Sequence, residues 1–598
     1  MAKSVPLWLK LTVLTVLSAH LAFAIFTVES IGNKIPIADE WHPRLNADLA
    51  VRIANGQFNV DDLFATYRGH RLLTSLSLTA LNTLLFRYDP RFEMWISAGL
   101  LVLNFSLTAL LMRWLLGGQS PRLFWLSLIP VAALTFSGRN WIAWVWGVMT
   151  VWQFAVVLTL LAILIALRWR LSWRTTLLLT VLCTLVSFSF GAGVLAFGVV
   201  GMVLFTRRER HLGRWAVFGA AALFCSAALF VGERQAASSL TISPLANLLS
   251  ISWILGAVQL SVPRSGVTAA WTVEYNHYLS VAFQVFCVAI AIFALNAWRL
   301  RRVAAPKLIA PSTLVLWSLG FALAISLTRG NEITTTFQAD YYTPLQVQFW
   351  LGCLSASFLA LQHFPKRALA FLNSLFIAFV TATHVAFTVT AFVQVITPQY
   401  VHMALADMRE CALTALLRND SCRTFRILPQ APYETAYQLA RLRLSVFSDV
   451  AREPVTLALA FVPLHDADSA AHAFEVSDKG EHILFQRTTR LMQSLALPDL
   501  PDYRFTLRGA LTADAACAEQ SVKARLIVDD GETQRVAVER TVTADLVPFA
   551  FDLTDWRGRA FSLLYEVDTS KPLTCGHVLW ANPRIELSQA DFAEEERK

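Results

Sequence analysis

The sequence predicts a polytopic α-helical membrane protein of about eleven spans with a C-terminal extracytoplasmic β-sandwich, and three observations predict it. Only 15% of the 598 residues are charged and 56% are hydrophobic, whereas soluble domains carry roughly a quarter charged residues. The apolar stretches run without the period-two alternation of an outer-membrane barrel and approach the length a spanning helix needs, on the order of 20 residues. Near Pro398 the composition turns to that of ordinary soluble protein, with short alternating runs. The 19 Trp and 40 Phe exclude a disordered chain.

The apolar runs place helices at 7–28, 93–116, 122–137, 148–168, 175–190, 192–206, 214–232, 279–298, 310–328, 344–363 and 367–394. Ala22-Phe23-Ala24 is similar to a signal-peptide cleavage site, but the apolar run continues to Val28, which favours a retained helix. Basic links set the orientation: Lys3 and Lys10; Arg168, Arg170 and Arg174; Arg207, Arg208, Arg210 and Arg214; Arg299, Arg301, Arg302 and Lys307; Lys366 and Arg367. All share one side only if 175–205 is two short helices, broken at Ser189-Phe190-Gly191-Ala192-Gly193. The N-terminus is then cytoplasmic and everything after about Gln394 lies outside. The division expected is a membrane domain over 1–397 with its first outer loop at 29–92, a helical connector over 398–450, and the sandwich over 451–598.

Cys183, Cys225, Cys287 and Cys353 fall inside spans and read as small buried apolar residues. Cys411, Cys422, Cys517 and Cys575 form an even set in the polar region, as an oxidising exterior favours. Four cysteines allow three pairings; sequence proximity favours Cys411 with Cys422 and Cys517 with Cys575. Helical stretches are expected at Met403–Leu417 and Ala436–Ser445. Strands follow at Val455–Phe461, Tyr503–Leu507, Val522–Leu526, Arg535–Val538 and Phe561–Tyr565, with a turn at Asp529-Asp530-Gly531. The ending Trp580-Ala-Asn-Pro583-Arg-Ile-Glu586, after Asp552-Leu-Thr-Asp-Trp556-Arg-Gly558, resembles the last strands of jelly-roll modules found on carbohydrate-active proteins. Trp556 and Trp580 then either fill the core of a structural cap or form a glycan-binding face.

The first outer loop holds Asp39-Glu40-Trp41, then Asp61-Asp62-Leu63-Phe64, then Tyr67-Arg68-Gly69-His70-Arg71, before an interfacial helix near Leu72–Phe86. A carboxylate partly desolvated at a membrane face is suited to act as a base; acids in exposed loops are also ordinary. Trp141, Trp144, Trp146 and Trp152, and Trp271, Tyr275, His277 and Tyr278, read as an interfacial belt or as a stacking platform for sugar rings. Glu274 and Glu332 are further outer acids able to bind hydroxyls or a divalent metal. No spacing of His and Cys forms a metal-ligand cluster, so no cofactor is certain and a divalent metal stays open.

A first span, a long outer loop opening with an acidic pair, an interfacial helix, many further spans and an outer C-terminal domain resemble the GT-C class of bacterial membrane glycosyltransferases. The stretches Asp62-Leu-Phe…Gly69-His70-Arg71 and Phe188-Ser-Phe-Gly191 are similar to patterns in that class, as is Arg329 ahead of Asp340-Tyr341-Tyr342, where relatives more often carry Arg-Tyr. The resemblance implies a hexosyl- or pentosyltransferase of the cell envelope, in the inner membrane, using a polyprenyl-phosphate-linked sugar donor. The acceptor would be a glycan, lipid or protein hydroxyl at the outer face. Asp39 and Glu40 match the position of the base. Arg71, Arg139, Arg264 and Arg329 are outer cations for the donor phosphate, His70 a donor to phosphate or sugar, and Trp41, Trp144, Glu274, His277, Glu332 and Tyr341 further substrate contacts.

Two other classes stay in view. A lipid or glycan transporter requires ionisable groups inside the spans or repeated halves, and the sequence offers no convincing example of either. A non-catalytic anchor displaying a glycan-binding sandwich has little use for eleven spans. Basic links read as topology signals rather than nucleic-acid sites, and no nucleotide-binding loop is present.

Overall fold

The computed structural model describes residues 5–32, 34–36, 38–67, 70–117, 120–138, 141–230, 243–256, 271–336, 343–365, 368–396, 416, 432–449, 454–459, 474–476, 482–485, 490–513, 522–568 and 578–589. The chain forms two compact units. The first comprises 1–33, 59–81 and 90–402; the second comprises 34–58, 82–89 and 403–598. This differs from a boundary at 397: two pieces of the first outer loop belong to the unit that carries the strands. The reason is apolar burial. Ile35, Trp41, Ala47, Ala50, Val51 and Tyr88 share one hydrophobic cluster with Ala436, Leu439 and Ala440 and with the strand residues Phe505, Leu507 and Trp580.

The first unit is helical. Helix α1 spans Leu7–Ile31; the short helix α2, Asn46–Ala54, belongs to the second unit. Then follow α3 (Leu73–Phe86), α4 (Pro90–Leu116), α5 (Pro121–Thr135), α6 (Trp141–Val145), α7 (Thr150–Arg168), α8 (Trp173–Ser189), α9 (Leu195–Thr206), α10 (Leu212–Phe230), α11 (Pro244–Gly256), α12 (Trp271–Leu300), α13 (Ala305–Thr336), α14 (Thr343–His363) and α15 (Ala368–Ile396). Among the described residues, seven helices are long and apolar enough to cross a membrane.

Their outer surface is apolar, unlike that of a soluble protein, and polar side chains are enclosed within a largely apolar interior. Leu11, Leu14, Phe205, Leu212, Phe224 and Phe371 face outward, while Asn104, Gln153, Thr159, Gln346, Gln348 and Ser355 are buried. An apolar outer surface with polar groups enclosed among apolar ones is the pattern of helices packed in hydrocarbon, where buried polar groups bond across helices. Helix α14 is the axis, with every residue from Thr343 to Ala360 buried. Its crossing with α13 depends on Gly352: a Cβ there would lie 2.9 Å from the Pro311 carbonyl oxygen and 2.7 Å from Val315. Near one end, Asn296 and Asn373 exchange hydrogen bonds of 2.7 and 3.1 Å and tie α12 to α15.

The expected break in 175–205 is present. A 3-10 turn over Gly191–Val194 separates α8 from α9. Arg207, just past α9, donates to the Ala166 and Trp169 carbonyls at 2.6 and 2.7 Å, so α9 returns to the level at which α8 begins. The two arginine links therefore share one end of the bundle. Three helices depart from the expectation: the short α2 and α6, and α11, which is only 13 residues long and carries Asn247, Ser250 and Ser252. Among the span cysteines, Cys183, Cys225 and Cys353 are buried as expected but Cys287 is exposed, because it sits on an outward face of α12. Cys411, Cys422, Cys517 and Cys575, and the expected helix from Met403, lie outside the described residues except for Leu416.

The second unit holds α2, helix α16 (Pro432–Arg441) and two antiparallel sheets. With β1 (Thr66–Tyr67) and β2 (His70–Arg71) forming a hairpin in the first unit, the sheet strands are β3 (Val455–Ala458), β4 (Phe474–Val476), β5 (His482–Phe485), β6 (Arg490–Ala496), β7 (Tyr503–Ala513), β8 (Lys523–Asp529), β9 (Gln534–Thr541), β10 (Val547–Asp552), β11 (Ala560–Asp568) and β12 (Val578–Gln589). One sheet runs β10-β7-β12-β5-β4 with β3 also on β12; the other runs β6-β11-β8-β9. The Trp580 indole of the first sheet meets Phe549 at 5.4 Å and Tyr565 of the second at 5.5 Å. Trp580 is fully buried and Trp556 nearly so, which makes both core residues rather than an open glycan face. The turn at 529–531 closes as expected, with Gly531 at φ 85° and Asp530 accepting the backbone N–H groups of Glu532 and Thr533 at 3.1 and 2.7 Å.

Candidate functional site

The candidate residues fall into two sets, one in each unit. In the second unit, Ala38–Trp41 forms a 3-10 helix immediately past the first long helix. Trp41 is buried, and its indole N–H donates to the Pro36 carbonyl at 2.7 Å. Glu40 is wholly buried, and the Asp39 carbonyl accepts the His42 N–H at 2.9 Å. Asp39 alone of the three keeps a partly exposed side chain. Trp41 was expected to contact substrate; its ring instead fills the core with Ala47 and Tyr88. A ring enclosed in that way presents no face to a sugar and acts by fixing the turn.

In the first unit, the hairpin β1–β2 packs at the broken end of α8. Asn59 caps the 3-10 turn Val60–Phe64 through a capping box with Asp62. The His70 ring stacks on Phe190 with centroids 3.9 Å apart, Phe64 meets Phe188 edge-on at 5.7 Å, and Thr74 donates to Ser189 at 2.9 Å. The stack continues inward, Phe190 lying 4.0 Å from Trp152 and 5.1 Å from Phe321 of α13. The two short motifs 62–71 and 188–191, far apart in sequence, thus meet in space. They meet at the opposite end of α8 from the arginine links, because α8 runs from Trp173 to Ser189.

Arg71 differs from its expected use. Its guanidinium donates to the Phe64 carbonyl at 2.7 Å and, through Nε and Nη2, to the Ala228 carbonyl at 3.2 and 3.0 Å. Ala228 lies near the end of α10, where carbonyls lack helical partners and a cation is favoured. Arg71 therefore caps α10 and locks the hairpin to it; three of its nitrogens are already engaged.

Trp144 is fully buried, edge-on to Phe23 at 5.7 Å, and Trp146 and Trp152 are buried as well. These rings form helix-packing core rather than a belt. Glu274 and His277 stand one turn apart near the start of α12, and Arg329 and Glu332 one turn apart near the end of α13. The two helices are joined by a short turn after Arg301, so both pairs lie distal to that basic link. Arg329 is about 12 Å along α13 from Phe321. Arg139, Arg264 and Tyr341 lie outside the described residues.

The sequence offers no convincing buried acid or base inside the spans, and the structure corrects this. Glu93, in the first turn of α4, is wholly buried and accepts the Thr79 hydroxyl at 2.8 Å. His384 of α15 is wholly buried, with Nδ1 2.9 Å from the Ser137 hydroxyl. The signal was available: a lone ionisable residue within an apolar helix faces the bundle interior. Near His384, Gly138 donates to Thr388 at 3.1 Å. An apolar cavity of about 420 Å³ follows between α1 and α15, lined by Ala19, Ala22, Phe23, Phe26, Thr388, Val389 and Phe392. Among the described residues, no group of three or more His, Cys, Asp or Glu is placed to hold a metal ion.

No family model matches the chain, and no curated protein matches it. Solved structures similar to it include the following three. The archaeal oligosaccharyltransferase AglB from Archaeoglobus fulgidus, in complex with an inhibitory peptide and a dolichol-phosphate, is 14% identical over 77% of this chain and 62% of its own, with a TM-score of 0.38. ArnT from Cupriavidus metallidurans, bound to undecaprenyl phosphate, is 13% identical over 72% of this chain and 84% of its own, with a TM-score of 0.38. The arabinosyltransferase EmbB from Mycobacterium smegmatis is 12% identical over 96% of this chain and 64% of its own, with a TM-score of 0.33. This chain thus spans less than two thirds of the length of AglB and EmbB.

Proposed function

We propose that this protein is a multi-pass glycosyltransferase of the GT-C type, which moves a sugar from a polyprenyl-phosphate-linked donor to an acceptor hydroxyl at the outer face of the inner membrane. The observation that carries the reading is the meeting of the loop motif 62–71 with the mid-bundle motif 188–191, at the end of α8 remote from the arginine links. That end belongs to a body whose outer surface is apolar and whose largely apolar interior also encloses polar side chains such as Gln153 and Gln348, a setting compatible with a lipid-linked substrate. In the same reading the bundle has eleven spans, its arginine-rich end is cytoplasmic, and the two sheets form an extracytoplasmic sandwich.

Asp39 is the base. It removes the acceptor hydroxyl proton as the oxygen attacks the anomeric carbon from the side opposite the phosphate. The carbon–oxygen bond to phosphate breaks, the electron pair leaves on the polyprenyl phosphate, and the anomeric centre inverts. Phosphate is a sufficient leaving group without a general acid, but its charge calls for a cation, and a guanidinium binds it through a two-pronged fork. Arg139, Arg264 and Arg329 are the arginines assigned that role, because Arg71 is engaged by carbonyl oxygens. Glu40 and Trp41 act by holding the turn. Glycan profiling of a strain lacking this protein tests the reading: a missing sugar on an envelope polymer, lipid or protein is expected, and an unchanged surface glycome would favour anchoring or transport.

A further inference from the structure

The arginine-rich end of the bundle has more order than a topology signal requires. Arg207 binds the Ala166 and Trp169 carbonyls, and Arg214 binds the Leu171 carbonyl at 3.4 Å and Glu209 at 2.9 Å. Trp173 packs edge-on to His211 at 5.2 Å, with Arg214 above its face at 6.0 Å. These contacts join the link 168–174 to the link 206–214 as one surface holding seven arginines against one glutamate. Burial acts to raise the Glu209 pKa, but the His211 N–H and the Arg214 guanidinium outweigh it and hold the carboxyl below its ordinary value, so that charge is already matched. Arg168, Arg170, Arg174, Arg208 and Arg210 are exposed, and their guanidinium groups make no hydrogen bond or ion pair among the described residues.

Apolar groups flank these free cations. Trp169 and Trp173 are about half exposed, Phe205 is 75% exposed and Leu212 is 83% exposed; Leu177 and Val181 continue the apolar face along α8. Exposed guanidinium groups on the same surface as exposed rings and aliphatic chains match the two ends of an anionic phospholipid. The phosphodiester suits the arginine fork, and the acyl chains suit the apolar face; a soluble anion would use only the first. We propose that this surface is a binding site for an anionic glycerophospholipid, independent of the sugar-transfer site at the other end of α8.

The test uses the full-length protein in detergent, equilibrated with an equimolar mixture of phosphatidylglycerol and phosphatidylcholine and read by native mass spectrometry. The wild type should retain phosphatidylglycerol preferentially. The pairs Arg168→Gln/Arg170→Gln and Arg208→Gln/Arg210→Gln should each reduce that preference, by about fivefold for each guanidinium that reaches the headgroup. If a Gln pair fails to insert, the corresponding Lys pair keeps the charge and the orientation signal and should lose part of the preference, because an ammonium lacks the fork. A salt titration of the wild type gives a second reading, in which retention should fall as ionic strength rises. Equal retention of the two lipids by the wild type, undiminished preference in folded Gln pairs, or retention insensitive to salt would overturn the proposal. So would displacement of the lipid by millimolar inorganic phosphate, which would make the surface a soluble-anion site.

Discussion

The acidic turn at 38–41 and the hairpin at 66–71 both come from the first outer loop, and both carry ionisable residues next to apolar anchors, yet they use their charged groups in opposite ways. In the turn, the ring of Trp41 and the whole of Glu40 are buried, leaving the Asp39 carboxylate partly exposed on a fixed backbone. In the hairpin, the charged group is itself the fastener: Arg71 grips two carbonyl oxygens, and the His70 ring is stacked on Phe190. The difference teaches that residue type and loop position nominate a site, while hydrogen-bond partners decide which member is available for chemistry.

The comparison is broken most forcefully by removing the anchor of the turn. Trp41→Ala deletes a buried ring and is expected to cost about 3–5 kcal/mol, lowering the thermal unfolding midpoint of the purified protein and its activity together. Arg71→Lys should come next. The ammonium cannot span the Phe64 and Ala228 carbonyls as the fork does, so a loss of about 1.5–3 kcal/mol is expected, measured as the same midpoint. A stability-neutral Arg71→Lys would mean the observed bonds contribute little and would return Arg71 to the list of phosphate ligands. Thr79→Val, which takes the hydroxyl from the buried Glu93, should cost about 1 kcal/mol.

The smallest effect concerns pH in the sheet-bearing unit. The Thr533 and Glu532 N–H groups hold the Asp530 carboxyl below its ordinary pKa. A depressed folded pKa gives stability that is present above the ordinary carboxylate range and is lost as pH falls through the folded value. Asp530→Ala should therefore weaken the acid dependence of the unfolding midpoint slightly while leaving the neutral-pH activity unchanged. An acid limb identical to that of the wild type would show that the turn is not coupled to unfolding.

Much of the architecture was legible in the sequence, for definite physical reasons. The alternation in Tyr503–Leu507 predicted a strand because one face is buried, although the strand runs on to Ala513, and the Gly-rich break after Ser189 predicted two helices because a 3-10 turn interrupts the apolar run. Helix α11 was hidden because a search for long apolar runs passes over 13 residues containing Asn247, Ser250 and Ser252. Ser252 is tolerated because its hydroxyl donates to the Leu248 carbonyl at 2.6 Å, and the helix is tied to its neighbours through backbone carbonyls, that of Asn247 accepting Ser326 and that of Leu255 accepting Gln346 and Trp350. For the same reason Glu93 and His384 went unrecognised. The split of the first outer loop between two units was also invisible, since nothing local in Ile35, Trp41 or Tyr88 says which apolar cluster each will join. Of the site, the resemblance singled out the stretches 62–71 and 188–191 one by one; their meeting, the engagement of Arg71 and the burial of Trp144 depend on partners distant in the chain.

The role of Asp39 as base is read from sugar transfer by the purified full-length protein with a polyprenyl-phosphate-linked donor. Asp39→Asn, which keeps size and polarity but removes the base, should lower the transfer rate by on the order of 10²–10⁴ with an unchanged unfolding midpoint. Transfer by a folded Asp39→Asn variant at the wild-type rate would contradict the account.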